Sequence, residues 1–179
     1  MSIRGFTARL TAAREGAVAV EFALIAPILI LLYVGMTDVV EGVMAERRAQ
    51  HIASTIADLT AQSITVSSAN LDDYFSIGGL VMGPFPTTGL SQRISSVTAD
   101  SNGVPHVDWS QATGGMSPLS AGSTVTVPSN LLSAGQSIIE ADVSYAYSNK
   151  IAWVLPTALT FNQSSYLRPR QSLQVGYTG

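Results

Sequence analysis

A single carboxylate stands inside the longest apolar run of the chain. Glu21 is the fifth residue of the stretch from Ala17 to Met36, which contains no other charged side chain. A charge at the centre of a membrane-spanning helix costs roughly 2.5 to 3.5 kcal/mol on insertion scales, so a lone acid needs a cationic partner or a specific purpose. The chemistry expected of Glu21 is therefore charge pairing.

The other reactive residue types form no recognisable active site. His51 and His106 are not spaced as a ligand pair, so we predict no metal site. Asp72 and Asp73 are adjacent, point in different directions and are expected to be acids in the first turn of a helix. The sequence contains neither a Gly-x-Ser-x-Gly motif nor a P-loop lysine. We therefore predict no catalytic residue and no cofactor.

Composition points toward a membrane or a large assembly, and the charge distribution argues against nucleic acid as the main partner. The 179 residues are 46% hydrophobic and 12% charged, against about 25% charged in ordinary soluble domains. Three arginines and one glutamate give the first 16 residues a net charge of +2, whereas the remainder has 6 basic and 11 acidic residues. An acidic body has no basic stripe to neutralise phosphates. There is no cysteine, which excludes disulfides and thiolate chemistry.

The apolar run is long enough to cross a bilayer. Its 20 residues, 17–36, span about 30 Å as a helix, which is the thickness of the hydrocarbon core. A cleavable secretory signal has a shorter apolar core, of about 7 to 15 residues. The arginines before the run and the acids after it place the N-terminus in the cytoplasm and residues 37–179 outside. A buried core helix is the less favoured alternative because such helices are seldom apolar all round.

The helix is expected to continue beyond the membrane. Apolar residues recur at spacings of three and four, and no proline occurs between Pro27 and Pro84. One helix is therefore predicted over about 17 to 62, with a transmembrane part (17–36) and a periplasmic part (37–63). Its apolar seam packs either on its own domain or on neighbouring helices, and consists of Ala45, Ala49, Ile52, Ile56 and Leu59.

Residues 64–179 are predicted to form an extracytoplasmic α+β domain. A short helix over 67–75 is indicated by Ser and Asn caps, and a Gly/Pro-rich loop follows over 78–89. Asn102-Gly103 between two alternating runs predicts a hairpin. The predicted strands are 93–100, 104–110, 123–128, 138–148 and 161–168. The expected architecture is a small antiparallel sheet packed on the second half of the long helix.

The clearest strand is Ile138 to Ser148, which alternates apolar and polar residues. One face is expected to be buried and the other to face water, as antiparallel sheets permit. The buried face would comprise Ile139, Ala141, Val143, Tyr145 and Tyr147. Glu140, Asp142, Ser144, Ala146 and Ser148 would form the wet face.

An alternative function is a signal-anchored periplasmic binding protein whose β-sheet carries a site for a sugar or a peptide. Its ligand platform would consist of Tyr145, Tyr147 and Trp153. Packing of these aromatic side chains in the core is the favoured interpretation, because the alternating pattern already places the two tyrosines on the apolar face.

The junction before the apolar run resembles a type IV prepilin cleavage site. Arg14, Glu15 and Gly16 precede an apolar helix with a glutamate at the fifth position after the glycine. The segment GAVAVEFALIAPILILLYVG resembles the TadE-like minor pilins or pseudopilins of the Tad (Flp) pilus system, which favour a Glu-Phe or Glu-Tyr pair and a proline. Here those residues are Glu21, Phe22 and Pro27. Further similarity extends through PFPTTG, ISSV, VSYAYS and Arg168 to Arg170.

The resemblance implies a structural subunit that is processed and assembled. Residues 1–16 would be a basic leader, removed after Gly16 by a prepilin peptidase to leave Ala17 as the N-terminus. Glu21 would pair with the Ala17 ammonium of a neighbouring subunit, and Pro27 would kink the helix. The implied location is the bacterial inner membrane or the pilus at the cell surface. The implied partners are the peptidase, membrane lipid, other pilins or pseudopilins and the Tad assembly machinery. TadE and TadF types both remain open.

Overall fold

The structure is a computed structural model that describes residues 14–148 and 158–179, with side chains from residue 16 onward. Residues 1–13 of the predicted leader and Trp153 lie outside the described residues. The α+β class predicted from the sequence is confirmed. In chain order the elements are helix α1 (Arg14–Ala61), strand β1 (Thr65–Ser67), helix α2 (Ser68–Met82), a 3-10 turn (Thr87–Gly89), and strands β2 (Leu90–Ala99), β3 (Pro105–Thr113), β4 (Ser137–Ser148), β5 (Ala158–Leu167) and β6 (Gly176–Thr178).

Helix α1 has two halves with different surroundings. No residue from Gly16 to Val34 is buried, although most are apolar. From Gly35 onward a buried stripe appears at intervals of three and four residues and continues through Asp38, Gly42, Ala45 and Ala49. That spacing keeps one face of a helix against its neighbour. The second half of α1 is therefore part of the domain core.

The four-stranded sheet has the order β3-β2-β4-β5, and every neighbouring pair is antiparallel. Helix α1 packs across β4 and β5, and α2 packs against α1. The predicted buried face of β4 is confirmed, since each of its members is at most 4% exposed. These residues are Ile139, Ala141, Val143, Tyr145 and Tyr147.

The predicted seam of α1 is used within the chain. Ala45, Ala49, Ile52 and Ile56 are fully buried in the core cluster, and Leu59 is half-buried. Small side chains here allow α1 to lie close to the sheet and to α2. The sequence left two partners open for this seam, the chain's own domain and neighbouring helices. The structure shows the seam packed on its own domain.

Helix α2 begins as predicted but ends later. Ser67 is its N-cap, and its side chain and Asn70 form a reciprocal capping box. The prediction of a loop from Gly78 was wrong for its first five residues, which are helical. Gly78 is buried where α2 packs on Ile52 and Gln92, so the glycine permits close packing rather than a turn. The prediction of first-turn acids was also wrong, because Asp72 is already the fifth helical residue.

The predicted strand over 123–128 is not formed. This segment makes one isolated bridge, between Thr124 and His106, and few backbone hydrogen bonds, among them Val107 N to Ser123 O at 3.0 Å. Its two valines pack instead on a second apolar cluster on the outer face of the sheet. Packing of the valines on this cluster competes with alignment of segment 123–128 along β3 as a further strand. The cluster is centred on Val97, Val107 and Ile138.

The prediction that the second face of β4 faces water was wrong for its two acids. Glu140 is 8% exposed and Asp142 9%. β4 is a central strand, so side chains from both neighbouring strands reach its acids. Arg93 on β2 donates to Asp142 Oδ2 at 2.6 Å, and Ser164 on β5 donates to the other oxygen at 2.5 Å.

Two three-residue strands, β1 and β6, form a parallel pair that the sequence did not indicate. The segment leading to β6 is fixed by Trp109, whose indole nitrogen donates to Val175 O at 2.8 Å. The Trp109 ring also stacks on Tyr177 at 5.6 Å between centroids. This region therefore closes the core at the end of α1.

Candidate functional site

The predicted processing and assembly residues all lie in the unburied half of α1. Ala17 and Glu21 are four residues apart, so they share one helix face and are separated by about 6 Å along the axis. Phe22 is 67% exposed. Gly16 lies within the helix, at the boundary with the predicted leader. The structure thus places the junction residues on one accessible surface.

Glu21 is surrounded by apolar side chains that no other described part of the chain covers. Among residues whose side chains are described, none forms a salt bridge with Glu21. Its neighbours along the helix include Val18, Val20 and Leu24, and each of these three is more than 60% exposed. A lone carboxylate in such surroundings favours pairing with a cation. The environment of Glu21 is consistent with lipid or with other apolar helices.

Pro27 lies inside α1 without ending it. The helix assignment is continuous from Arg14 to Ala61 across this proline. Because proline has no backbone N–H, the carbonyl of Ala23 loses its helical donor. A weakened turn therefore lies between the junction and the domain.

This unburied half has the properties of a membrane span. α1 contains an 18-residue window long and apolar enough to cross a bilayer, and none of that window is buried. Lipid-facing helices are apolar all round, whereas the second half of α1 is apolar on one stripe. The first half of α1 is thus suited to lipid, and the second half is suited to packing on the domain.

A buried acid at the start of the packed half was not anticipated. Asp38 is 2% exposed, although it is one of the acids after the apolar run that were expected to lie outside the membrane. Its spacing from Gly35 and Gly42 places it on the buried stripe, and that spacing was the signal available in the sequence. Glu41 nearby accepts a hydrogen bond from Tyr147 Oη at 3.4 Å. Burial, and then the charges of Glu41 and Asp38, raise the pKa of Tyr147.

A cavity of about 330 Å³ lies beside this acidic region. Tyr145 and Tyr147 form part of its wall, but both rings are almost fully buried. Tyr145 Oη donates to Pro86 O at 3.1 Å, and the Tyr147 ring meets Phe85 edge-on at 6.1 Å. The two tyrosines are therefore core residues, as the favoured interpretation predicted.

The remaining candidate residues are not brought together. His51 is exposed on α1, whereas His106 on β3 lies with its Nε2 3.7 Å from Asp100 Oδ2. Backbone donation from Val104 is the main cause that lowers the pKa of Asp100. Asp72 accepts from Gln111 Nε2 at 3.3 Å. These contacts stabilise local structure.

Residues 16–58 match the family model described as TadE-like protein. The matched segment begins at Gly16 and includes the whole unburied half of α1 and most of its packed half. The match confirms the resemblance inferred from the junction and supports a role associated with the Tad pilus. The family is structural rather than enzymatic. Together with the apolar half of α1, the match is consistent with a single-pass membrane anchor. No curated protein and no solved structure matches the chain.

Proposed function

We propose that this chain is a TadE-like minor pilin or pseudopilin that is processed after Gly16 and assembles with other subunits of a Tad pilus used for surface attachment. It spans the inner membrane once, with its N-terminus in the cytoplasm and its α+β domain in the periplasm. Its chemistry is that of a substrate and a building block, and no catalytic role is proposed.

One observation carries the proposal. The segment that matches the family begins at Gly16, and α1 from there to Val34 is apolar and unburied, with Glu21 as its only acid. A soluble domain would not leave about 18 apolar positions of a helix uncovered. Both the membrane and a bundle of similar helices satisfy such a surface.

Cleavage after Gly16 would create the cation that Glu21 lacks. The new α-amino group of Ala17 is protonated below about pH 8. Opposite charges in a low-dielectric environment strongly prefer a pair to isolation. When helices pack side by side with an axial offset, the carboxylate of one subunit can meet the ammonium of the next, which fixes the register between them.

The partners follow from this scheme. A prepilin peptidase acts on the Gly16–Ala17 bond, membrane lipid holds the subunit before assembly, and other pilins or pseudopilins surround α1 afterwards. The Tad assembly machinery moves the subunit from the membrane into the assembled pilus.

The first prediction concerns the N-terminus of the mature protein. In cells that contain the peptidase, intact-mass spectrometry is expected to find Ala17 as the first residue. Gly16→Ala should leave the leader attached, because a methyl group is added at the scissile position. Gly5→Ala makes the same chemical change 11 residues upstream and should be cleaved normally. A wild-type protein that retains residues 1–16 in these cells contradicts the proposal and favours an uncleaved signal anchor.

A further inference from the structure

A cavity lies on the domain just beyond the unburied half of α1. Its volume is about 330 Å³, and its walls include Glu41 and Met44 of α1 together with Phe85 and Tyr147. Ligand sites in proteins have volumes of about 300 to 1,000 Å³, so this cavity suits a small group. We call it the juxtamembrane cavity.

The position of the juxtamembrane cavity along α1 is at the level of lipid head groups. The predicted transmembrane part ends at Met36, and Glu41 follows five residues later, which is about 7.5 Å along a helix. The head-group layer extends about 5 to 8 Å beyond the hydrocarbon core on each side of a bilayer. With the domain in the periplasm, the adjacent lipids are those of the periplasmic leaflet.

The cavity region is acidic, and the described residues supply no cation to it. Glu41 is exposed, and the hydrogen bond that it accepts from Tyr147 Oη is 3.4 Å long, which is weak for a hydroxyl donor. Asp38 lies one helical turn earlier, and its Oδ2 is buried without a hydrogen-bond partner among the described residues. The salt bridges between described residues include neither acid.

Both acids act on the aromatic wall of the cavity. Burial first, and then the charges of Glu41 and Asp38, raise the pKa of Tyr147. The ring of Phe85 meets that of Tyr147 edge-on, with 6.1 Å between the centroids. Aromatic rings and carboxylates both attract cations. Because carboxylate oxygens also accept hydrogen bonds, a cation with N–H donors suits this region better than one without them.

We propose that the juxtamembrane cavity binds the primary ammonium of a phospholipid head group of the ethanolamine class, taken from the periplasmic leaflet. The ammonium would pair with Glu41 against the aromatic wall, and the acyl chains would lie along the apolar half of α1. The inference rests on the proposed function for the membrane span. It adds to that function a specific contact that holds the subunit in the membrane before assembly.

A lipid is favoured over a cationic side chain of a partner protein because of where the cavity lies. Head groups surround every inserted copy at this depth, so their effective concentration at the cavity is high without any partner. A partner protein would have to place a cation at the same depth in each complex.

The test measures which phospholipid the full chain retains. The chain is purified in detergent with an equimolar mixture of two lipids that have the same acyl chains, one with an ethanolamine and one with a choline head group. Native mass spectrometry then counts the lipids that remain bound. Both head groups carry the same charges, but choline has no N–H to donate, so the comparison isolates the primary ammonium.

Glu41→Gln and Glu46→Gln form the matched pair of variants. Each removes one carboxylate from an exposed position of α1. An amide at position 41 can still accept from Tyr147 Oη, so the domain is expected to fold. Glu46 contacts Gln163 and is not part of the cavity wall.

We expect the wild-type chain to retain the ethanolamine lipid at least fivefold over the choline lipid. Glu41→Gln should lower this preference below twofold, whereas Glu46→Gln should leave it unchanged. Equal retention of the two lipids by the wild-type chain overturns the inference. A preference that survives Glu41→Gln also overturns it, because the lipid would then bind elsewhere and the cavity would be left to a cation of a partner protein.

The chain contains one lysine, Lys150, which follows Ser148 of the cavity wall by two residues and lies outside the described residues. Lys150→Gln removes this ammonium as a competitor from the same chain. The lipid preference should be the same with and without the substitution. A preference that appears only in Lys150→Gln would show that the chain fills its own cavity, and it overturns the inference.

Membrane insertion and processing are followed in the same preparations, by flotation with vesicles of the two lipids and by the intact mass of the chain. A chain that is cleaved after Gly16 and floats, but shows no lipid preference, contradicts only the binding at the juxtamembrane cavity. A chain that does not float contradicts the membrane span of the proposed function, and this inference with it.

Discussion

At the residue scale, Glu21 and Asp38 show that two acids of one helix serve different ends. Glu21 lies on an uncovered apolar surface, whereas Asp38 is buried where the helix joins the domain. Burying a carboxylate costs free energy in either place. Glu21 is expected to offset that cost by pairing with a cation of a neighbouring subunit. Asp38 instead lies beside the hydrogen-bonded pair of Tyr147 and Glu41 in its own domain.

The prediction for Glu21→Gln separates insertion from assembly. Membrane insertion should be unchanged or improved, because the neutral amide avoids the cost of a buried charge. Incorporation into pili should fall more than tenfold, because an Ala17 ammonium would be left unpaired in low dielectric. Quantitative immunoblots of the membrane and of sheared pili measure the two effects.

Asp73→Asn removes a charge from an exposed site on α2 and should change neither fraction. Wild-type amounts of Glu21→Gln in sheared pili would exclude the pairing role of this residue.

At the element scale, α2 depends on one glycine for its place in the core. A Cβ at Gly78 would overlap Gln92 Oε1 and approach Ile52 Cγ2 to 3.0 Å. Gln92 is 3% exposed, and its amide nitrogen donates to Phe75 O at 3.0 Å. Any movement of Gln92 therefore breaks a buried hydrogen bond.

Two neighbouring glycines of α2 should respond in opposite ways to substitution by alanine. Gly78→Ala should destabilise the protein by about 1 to 3 kcal/mol, the usual cost of overpacking. Gly79→Ala should stabilise it by up to about 1 kcal/mol, since alanine favours the helix and the new Cβ would lie 3.8 Å from Thr87 Cγ2. Denaturant unfolding of the full chain in detergent measures both. Equal effects of the two substitutions would show that Gly78 is not a packing position.

Elements with a uniform period were predictable from the sequence, and those decided by distant contacts were not. α1 has a long apolar run followed by apolar residues at spacings of three and four, and β4 alternates over most of its length, so both were predicted closely. Gly78 to Met82 resembles a loop because glycine usually breaks helices, but its role is set by Gln92, which follows later in the chain. The strands β1 and β6 have three residues each, too few to show a period.

In the candidate site, too, local features were predictable and features set by distant contacts were not. The junction residues from Gly16 to Pro27 were identified because their spacing is local. The hydrogen bond between Tyr147 and Glu41 was not, since it exists only when α1 and β4 lie side by side.

At the scale of the whole molecule, the outer face of the sheet makes folding sensitive to pH. Burial first, and then the charge of Asp142, raise the pKa of Glu140 above its usual 4.5. The folded state thus holds this proton more tightly than the unfolded state does. Stability from this group is complete below pH 4.5 and is lost as pH rises through the folded pKa.

Glu140→Gln should therefore stabilise the protein at neutral pH. Tyr166 lies opposite Glu140 on β5 and hydrogen-bonds to its side chain. The amide is neutral at every pH and can still accept from Tyr166, so the substitution removes the cost of ionising a buried acid. The melting temperature at pH 7 should rise by about 2 to 4 °C, the shift produced by about 1 kcal/mol in a protein of this size.

The gain from Glu140→Gln should shrink as the pH is lowered toward 4.5. Scanning calorimetry at several pH values measures it, with Asp73→Asn as the exposed control. A gain that stayed constant with pH would show that ionisation of Glu140 is not its cause.

Because α1 is continuous, its length also fixes how the domain is rotated about the helix axis relative to the membrane-spanning half. Glu21 and Glu46 are 25 residues apart, which on a regular helix is about 37 Å and a rotation within about 20° of a whole number of turns. The side chains of Glu21 and Glu46 therefore point to nearly the same side of the subunit. Adding one residue between them would turn Glu46, and the Gln163 side chain that it contacts, by about 100° away from Glu21. The length of α1 thus sets which neighbour each surface can meet.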